Sequence, residues 1–394
     1  MELSQRASSI PLSTTLALDA KAKALAAAGR DIVNMSVGEP DFDAPAAAQD
    51  AACRTVRGGN VRYTPAAGTN ALRAAVARHL TATRGVAFDA REVTICASTK
   101  QAVSGAVLAV SGPGDEVLLP LPAWVSYFEI VRIAGATPVA VAGRADCGPD
   151  LDALRAAITP RTRAVLFNTP SNPSGYVWSE DEVRELAELA QRHDLWLLSD
   201  EIYRRLVYEG APNPSPVSLA PEIRARTVVL DGASKTYAMT GYRIGFAAAP
   251  EPLAGAIARL HSHLTGCPNT VSQEAYRAVL ETEPPEVERM VAEFDARRRV
   301  LLDLLAAMGL ETPPARGAFY AFPDVAPWLD ERGSAGFCED LLDAQGLAIV
   351  PGSAFGMDRH VRLSYALSME RIREAAERLS AFLAARPARA QPRA

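Results

Sequence analysis

From Val93 onward the chain alternates short apolar runs with amphipathic stretches of helix length. The runs are Val93–Cys96, Glu116–Leu119, Thr137–Val141, Ala164–Phe167, Leu195–Leu198, Val228–Leu230 and Ile244–Ala248. Short, nearly continuous apolar segments between amphipathic ones predict strands buried on both faces and joined by crossover helices. That pattern restricts the fold to α/β with a mostly parallel sheet. With 394 residues, 48% of them hydrophobic, the chain can bury one large core and a second, smaller one.

Outside this region the signals differ. Residues 16–29 are Ala/Leu-rich and stop at Gly29, which predicts a helix. Ile32 to Val37 reads as a strand leading to the Gly38-Glu39-Pro40 turn, and helices are expected at about 44–57 and 69–84. Charged helices fill 272–307. The segments Ala318–Phe322, Ala348–Val350 and Val361–Ser364, with a closing helix over 369–385, predict a separate α+β unit. The expected division is an N-terminal arm and part of a small domain over 1–45, a large domain over 46–294, and the rest of the small domain over 295–394.

In open α/β sheets, ligands bind beyond the carboxyl ends of the strands. Three consecutive strands run there into chemically able residues. One leads into Asn168-Thr169-Pro170-Ser171-Asn172-Pro173-Ser174-Gly175, the next into Ser199-Asp200-Glu201-Ile202-Tyr203, and the third into Ser234-Lys235 with Thr240-Gly241-Tyr242-Arg243 beyond. Singly, each has a plain reading: Asp200 as a helix cap, Asn172-Pro173 as a turn, Tyr203 as core, Lys235 as a solvated cation. Together, an amide, a carboxylate, a phenol and a primary amine are what a pyridine ring with a 3-oxygen and a 4-aldehyde needs, and that ring is pyridoxal phosphate.

The net charge of −5 leaves no electrostatic footprint for nucleic acid. Five cysteines, an odd number without a close pair, point to reduced thiols in a cytoplasm rather than a disulfide or zinc framework. His261 and His263 fall on different faces of a helix, so no metal pair is expected. No apolar run approaches the roughly 18 residues of a membrane span, and no signal segment is seen.

The motifs Asn-x-Pro-x-Asn-Pro-x-Gly (168–175), Ser-Asp-Glu-Ile-Tyr (199–203) and Ser-Lys-x-x-x-Met-Thr-Gly-x-Arg (234–243) resemble those of fold-type I, class I aminotransferases that use pyridoxal phosphate. The likeness runs from Gly38 to Ala366 and is nearest the bacterial aspartate/prephenate branch. It implies a seven-stranded sheet with one antiparallel member. It also implies that Lys235 joins the cofactor aldehyde and moves the substrate Cα proton, that Asp200 pairs with the ring nitrogen, and that Tyr203 and Asn172 reach the ring 3-oxygen. Ser98, Thr99, Ser234 and Arg243 would hold the phosphate, and Trp124 would stack on the ring. Tyr63 would serve a neighbouring subunit's phosphate, which makes a homodimer with shared sites. Arg362 would clamp the substrate α-carboxylate. Gly38, Lys100, Thr15 and Phe319 would complete the substrate side, with Asn172 and Trp124 sharing in it and Lys100 pairing a distal carboxylate.

The reaction this implies is ping-pong transfer of an amino group between an amino acid and a 2-oxo acid, with aspartate and 2-oxoglutarate first and glutamate or prephenate as further substrates. The chain departs from its relatives at Ser98-Thr99, where small residues are usual. It also departs at Ile10-Pro11-Leu12, where a Lys-Pro segment is common, and at Ser174, where Thr is usual. The second departure removes an expected cationic contact to prephenate-type or bulky acids and keeps aromatic or small neutral amino acids open as donors. A lyase or cyclising synthase on the same scaffold is the rival reaction. A regulatory protein that binds the cofactor is the non-enzyme rival, and the acidic chain begins too close to the catalytic body to hold a DNA-binding domain.

Overall fold

A computed structural model describes residues 3–4, 7–8, 10 and 14–386, the side chains of 14–16 excepted. Its centre is a seven-stranded sheet. The strands are β1 (Val93–Cys96), β2 (Glu116–Pro120), β3 (Thr137–Val141), β4 (Thr162–Asn168), β5 (Trp196–Asp200), β6 (Thr227–Gly232) and β7 (Gly245–Ala248). All seven match the runs read from the sequence to within two residues at either end. Their spatial order is β1-β7-β6-β5-β4-β2-β3. Strand β7 runs antiparallel to both neighbours, while the pairs from β6 out to β3 are parallel. Helices cover both faces, so every residue of β1, β2 and β6 is buried. Such strands cannot show an alternating pattern, which is why they read as continuous apolar runs.

The helices begin and end where local chemistry sets them. The helix Asn70–Arg84 starts at Thr69, whose hydroxyl accepts the Leu72 N–H, and ends at Gly85 with φ +70°. The helix Glu180–Arg192 opens with a capping box between Ser179 and Glu182. The charged stretch 272–307 is not one element. Pro284-Pro285 divides it into Thr270–Thr282 and Glu286–Ala307, because proline withholds the N–H that a continuous helix needs.

A three-stranded antiparallel sheet (Val350–Pro351, Val361–Ser364, Tyr320–Ala321) packs with the long helix Glu286–Ala307 and the closing helix Met369–Ala385 around a second core that includes Phe294, Phe319 and Tyr365. The strand expected over Ile32–Val37 shrinks to Val33–Asn34, paired in parallel with Leu347–Ala348. Asn34 explains the early end: its Oδ1 accepts the N–H and hydroxyl of Ser36 at 3.0 and 2.6 Å, which bends the backbone out of the ladder. The bend carries Ser36 to Glu39 towards the ends of the parallel strands. Among the described residues no helix is long and apolar enough to cross a membrane, and no cluster suits a metal ion.

Candidate active site

A cavity of about 400 Å³ opens beyond the carboxyl ends of β1, β2, β4, β5 and β6. Of the residues singled out from the sequence, twelve line it: Gly38, Ser98, Thr99, Lys100, Trp124, Asn172, Asp200, Tyr203, Ser234, Lys235, Arg243 and Arg362.

One end of the cavity is an anion cradle. After β1 the chain turns at Ser98, with φ 144°, into the helix Thr99–Val110, and the Ser98 hydroxyl accepts the Gln101 N–H. Positive φ at serine is strained, and such strain concentrates at ligand sites. The free N–H groups of the first turn and the helix dipole favour an anion there. Close approach fixes the cradle floor: a Cβ on Gly245 would lie 2.5 Å from the Thr99 nitrogen, so only glycine fits. The Thr99 hydroxyl is buried without a hydrogen-bond partner. Ser234 and Arg243 complete the wall, and among the described residues the Arg243 side chain donates one bond, from Nη1 to the Thr240 carbonyl at 2.8 Å.

At the other end lies Asp200, fully buried at the tip of β5. Burial pushes its pKa up to about 6, against the pull of the Tyr127 hydroxyl, which donates to Oδ2 at 2.6 Å, and of the Ile202 N–H at 3.2 Å. No Lys or Arg forms an ion pair with it among the described residues. A protonated ring nitrogen would supply the missing cation. Between cradle and acid, Lys235 points its Nζ at the Gly38 carbonyl, 2.5 Å away. Burial lowers its pKa to about 8. Glu39 opposes that shift, while the Arg362 and Arg243 charges add to it. An amine that is partly neutral near physiological pH is both a nucleophile and a base.

Arg362 closes the third side. Its Nη1 donates to Asn172 Oδ1 at 3.0 Å and its Nη2 to the Ser36 carbonyl at 2.6 Å, while Nε is buried with no partner. It has no carboxylate partner among the described residues, and its charge lies over the Tyr320 ring at 4.6 Å. A buried guanidinium without a counter-ion is costly, and a bidentate carboxylate would relieve that cost. Asn172, its Oδ1 taken by Arg362, keeps its amide N–H for another acceptor. Lys100 lies on the cavity wall with its ammonium over the Trp124 ring at 4.9 Å, and crowding by the walls and by Arg243 lowers its pKa.

Three sequence choices fall elsewhere. Phe319 is fully buried and does not line the cavity; it stacks on Phe294 at 5.2 Å and meets Tyr203 edge-on. Its neighbour Tyr320 is the lining residue. Side chains alternate along a strand, so an error of one position exchanges site for core. Tyr63 is 98% exposed and stays outside the cavity of its own chain. Thr15 lies in the helix Thr14–Ala27, but its side chain is outside the described residues, as are Ser13 and the Pro11-Leu12 segment.

Four site residues escaped the sequence reading. Tyr127, which holds Asp200, follows Trp124 by three residues on the first turn of a helix, so helical spacing could have found it. Asn168 donates to the Asp200 carbonyl at 2.9 Å and accepts the Asn172 N–H at 2.8 Å, which locks the turn. The Tyr320 hydroxyl bonds that of Tyr203 at 2.8 Å and would lie 2.7 Å from any Cβ at Gly38. Glycine there is thus required by Tyr320, not only by an approaching ligand. Glu39 accepts a hydrogen bond from Thr240 and bears on Lys235. Nothing local in the sequence marks these last two contacts.

The residues fit pyridoxal phosphate: an unsatisfied hydroxyl at a helix N-terminus for the phosphate, an uncompensated buried acid for the ring nitrogen, and a low-pKa amine between them. Comparison with known proteins agrees. Residues 30–379 match the family described as aminotransferase class I and II. A probable aspartate/prephenate aminotransferase of Thermus aquaticus is 41% identical over 386 residues, 97% of this chain and 99% of that one. The aspartate aminotransferase of Geobacillus stearothermophilus is 38% identical over 392 residues, 98% of this chain and 100% of that one. Among solved structures, aspartate aminotransferase from Thermus thermophilus with maleate superposes with a TM-score of 0.93 at 39% identity, covering 97% of this chain and 100% of that one.

Proposed function

Because this chain belongs to the class I and II aminotransferases and uses pyridoxal phosphate, we propose that it transfers the amino group of aspartate to 2-oxoglutarate in a ping-pong cycle. The observation that carries the substrate choice is the pair of cations, Arg362 and Lys100, that line the same cavity. Arg362 lacks a counter-ion and Lys100 stands free of any carboxylate among the described residues, so a substrate with two carboxylates would satisfy both. The relatives named for aspartate, and the one solved with maleate, a dicarboxylate, support this reading. Glutamate fits the same charge pattern. Prephenate, in the names of three relatives, is a further candidate with two carboxylates.

The bound cofactor supplies an aldehyde that condenses with amines and a ring that takes up the electron pair left at Cα. In our reading the protein's own groups do the rest. The helix N-terminus at Thr99, with Ser234 and Arg243, would hold the phosphate. Asp200, kept in line by Tyr127, would keep the proton on the ring nitrogen. Tyr203, whose hydroxyl is set by Tyr320, and the Asn172 amide would serve the 3-oxygen, and Trp124 would cover the ring. Arg362 would orient the substrate α-carboxylate so that the Cα–H bond faces Lys235, whose neutral amine would take the proton at Nζ.

The exposed Tyr63 belongs in this reading to the neighbouring site of a homodimer. Its segment is tied to the chain at Cys267 and Thr270, and Val61 in the same segment is exposed as well. We keep the division into a cofactor-holding body over 46–294 and a smaller one from 1–45 with 295–394. We place the protein in the cytoplasm, a reading that its five free thiols support.

Half-reaction spectra test the function. Aspartate and glutamate should convert the bound cofactor to its amine form faster than alanine or phenylalanine. Faster conversion by the neutral amino acids would overturn the dicarboxylate assignment. Release of ammonia or a cyclic product without amine-form cofactor would favour the lyase class instead.

A further inference from the structure

A second cavity, of about 240 Å³, lies behind the lysine-bearing segment. Strand end Gly232 and Thr236 line it, while Ser234 and Lys235 line the active-site cavity, so the short helix Ala233–Thr236 has one side towards each. The rear cavity gathers three guanidinium groups, those of Arg84, Arg204 and Arg205, around His79.

Two carboxylates face these groups, Asp231 within the cavity lining and Glu201 outside it, and both are already engaged. Glu201 is fully buried, and its Oε2 accepts Arg84 Nε and Nη2 at 3.0 and 2.7 Å. Its Oε1 takes the hydroxyls of Ser199 and Ser215 at 3.1 and 2.5 Å. Asp231 accepts the Gly232 N–H at 2.7 Å with Oδ1 and faces Arg84 at 3.5 Å with Oδ2. Arg204 is therefore left with Nη1 buried, 3.6 Å from a filled carboxylate and without a hydrogen-bond partner. Arg205 is exposed at the rim and forms no ion pair among the described residues. Burial, with the Arg84, Arg205 and Arg204 charges adding to it, holds the pKa of His79 at about 4.

We propose that this rear cavity is a binding site for a phosphate-bearing small molecule, with Arg204 and Arg205 as its direct ligands and the Arg84–Glu201 ion pair beside them. Guanidinium forks match phosphate oxygens, and a tetrahedral oxyanion presents enough acceptors to satisfy Arg204 and Arg205 together. The volume equals that of about eight waters at roughly 30 Å³ each, room for a phosphate monoester and not only the bare ion. The site is separate from the cofactor's phosphate cradle, which lies on the other side of Gly232.

Cofactor-loaded protein, with its own cradle filled, is titrated with inorganic phosphate by calorimetry in chloride buffer, and with acetate as the carboxylate probe. One equivalent of phosphate per chain should bind, with the cofactor absorbance unchanged. Arg205→Ala should weaken that binding about tenfold or more, as expected for losing a hydrogen bond to a charged group, and Arg205→Lys should restore part of it. Arg205 is exposed and unpaired, so both variants should fold as the parent does. Absence of saturable binding, equal affinity in Arg205→Ala, or acetate binding as tight as phosphate would each overturn the proposal.

Discussion

Replacing Tyr127 by phenylalanine removes one hydroxyl and leaves the ring in its edge-on contact with Trp124, 5.3 Å between centroids. Its consequence depends on pH through Asp200. In the cofactor-free protein burial lifts Asp200 to about 6, above the roughly 3.9 of an unfolded aspartate. Stability from a group raised in this way is complete below the unfolded value and is lost as pH climbs through the folded one. The Tyr127 hydroxyl limits that loss, because it donates at 2.6 Å to the carboxylate that forms. A hydrogen bond to a neutral partner contributes about 0.5–1.5 kcal/mol, and one to a charged partner about 1.5–3 kcal/mol. Tyr127→Phe should therefore destabilise the cofactor-free protein by about 1 kcal/mol near pH 5, where Asp200 is protonated, and by about 2 kcal/mol or more near pH 8. The excess of about 1 kcal/mol or more corresponds to a further rise of roughly 0.7 pKa unit or more on Asp200. Urea denaturation of parent and variant at both pH values measures it, and other titrating groups cancel in the difference. In an Asp200→Asn background the pH dependence of the substitution should vanish. Equal destabilisation at the two pH values would refute the claim that Tyr127 supports the ionised form of Asp200.

Three further expectations concern the loaded enzyme. Lys235→Ala should retain the cofactor non-covalently but not turn over, and borohydride reduction of the parent should place the pyridoxyl group on the peptide containing residue 235; a label elsewhere would displace Lys235 from its role. Arg362→Lys should raise KM for every amino acid more than it lowers kcat, since an ammonium cannot reproduce the bidentate fork, and an unchanged KM would count against the clamp. Lys100→Ala should lower kcat/KM for aspartate about ten- to a few hundredfold, equivalent to about 1.5–3 kcal/mol, and leave phenylalanine far less affected. Equal losses on both substrates would return Lys100 to the cofactor or the fold.

The strand ends were readable because each is a local signal. An apolar run that stops at a polar residue names the rim position, and β4, β5 and β6 put Asn172, Asp200 and Lys235 on one rim as the sheet rule requires. The same locality explains the errors. Phe319 was chosen over Tyr320 because composition does not say which of two adjacent aromatic residues faces the cavity. Asn34 cut short a strand through a side-chain bond that apolar patterning does not register.

By itself the sequence determined the α/β class, the seven strands of the main sheet, and the amine, acid and amide at their tips, since these depend on periodicity and on neighbours along the chain. Only the tertiary structure decided which groups tune them. The Tyr127 hydroxyl reaches Asp200 across 73 positions, Arg362 finds the Ser36 carbonyl across 326, and Tyr320 meets Tyr203 across 117. The empty space at Gly38 has meaning only once the Tyr320 hydroxyl is beside it. Such contacts are set by how sheets and helices pack, and packing joins residues with no relation in sequence; the pKa values of Lys235 and Asp200 follow from that burial rather than from the residues themselves.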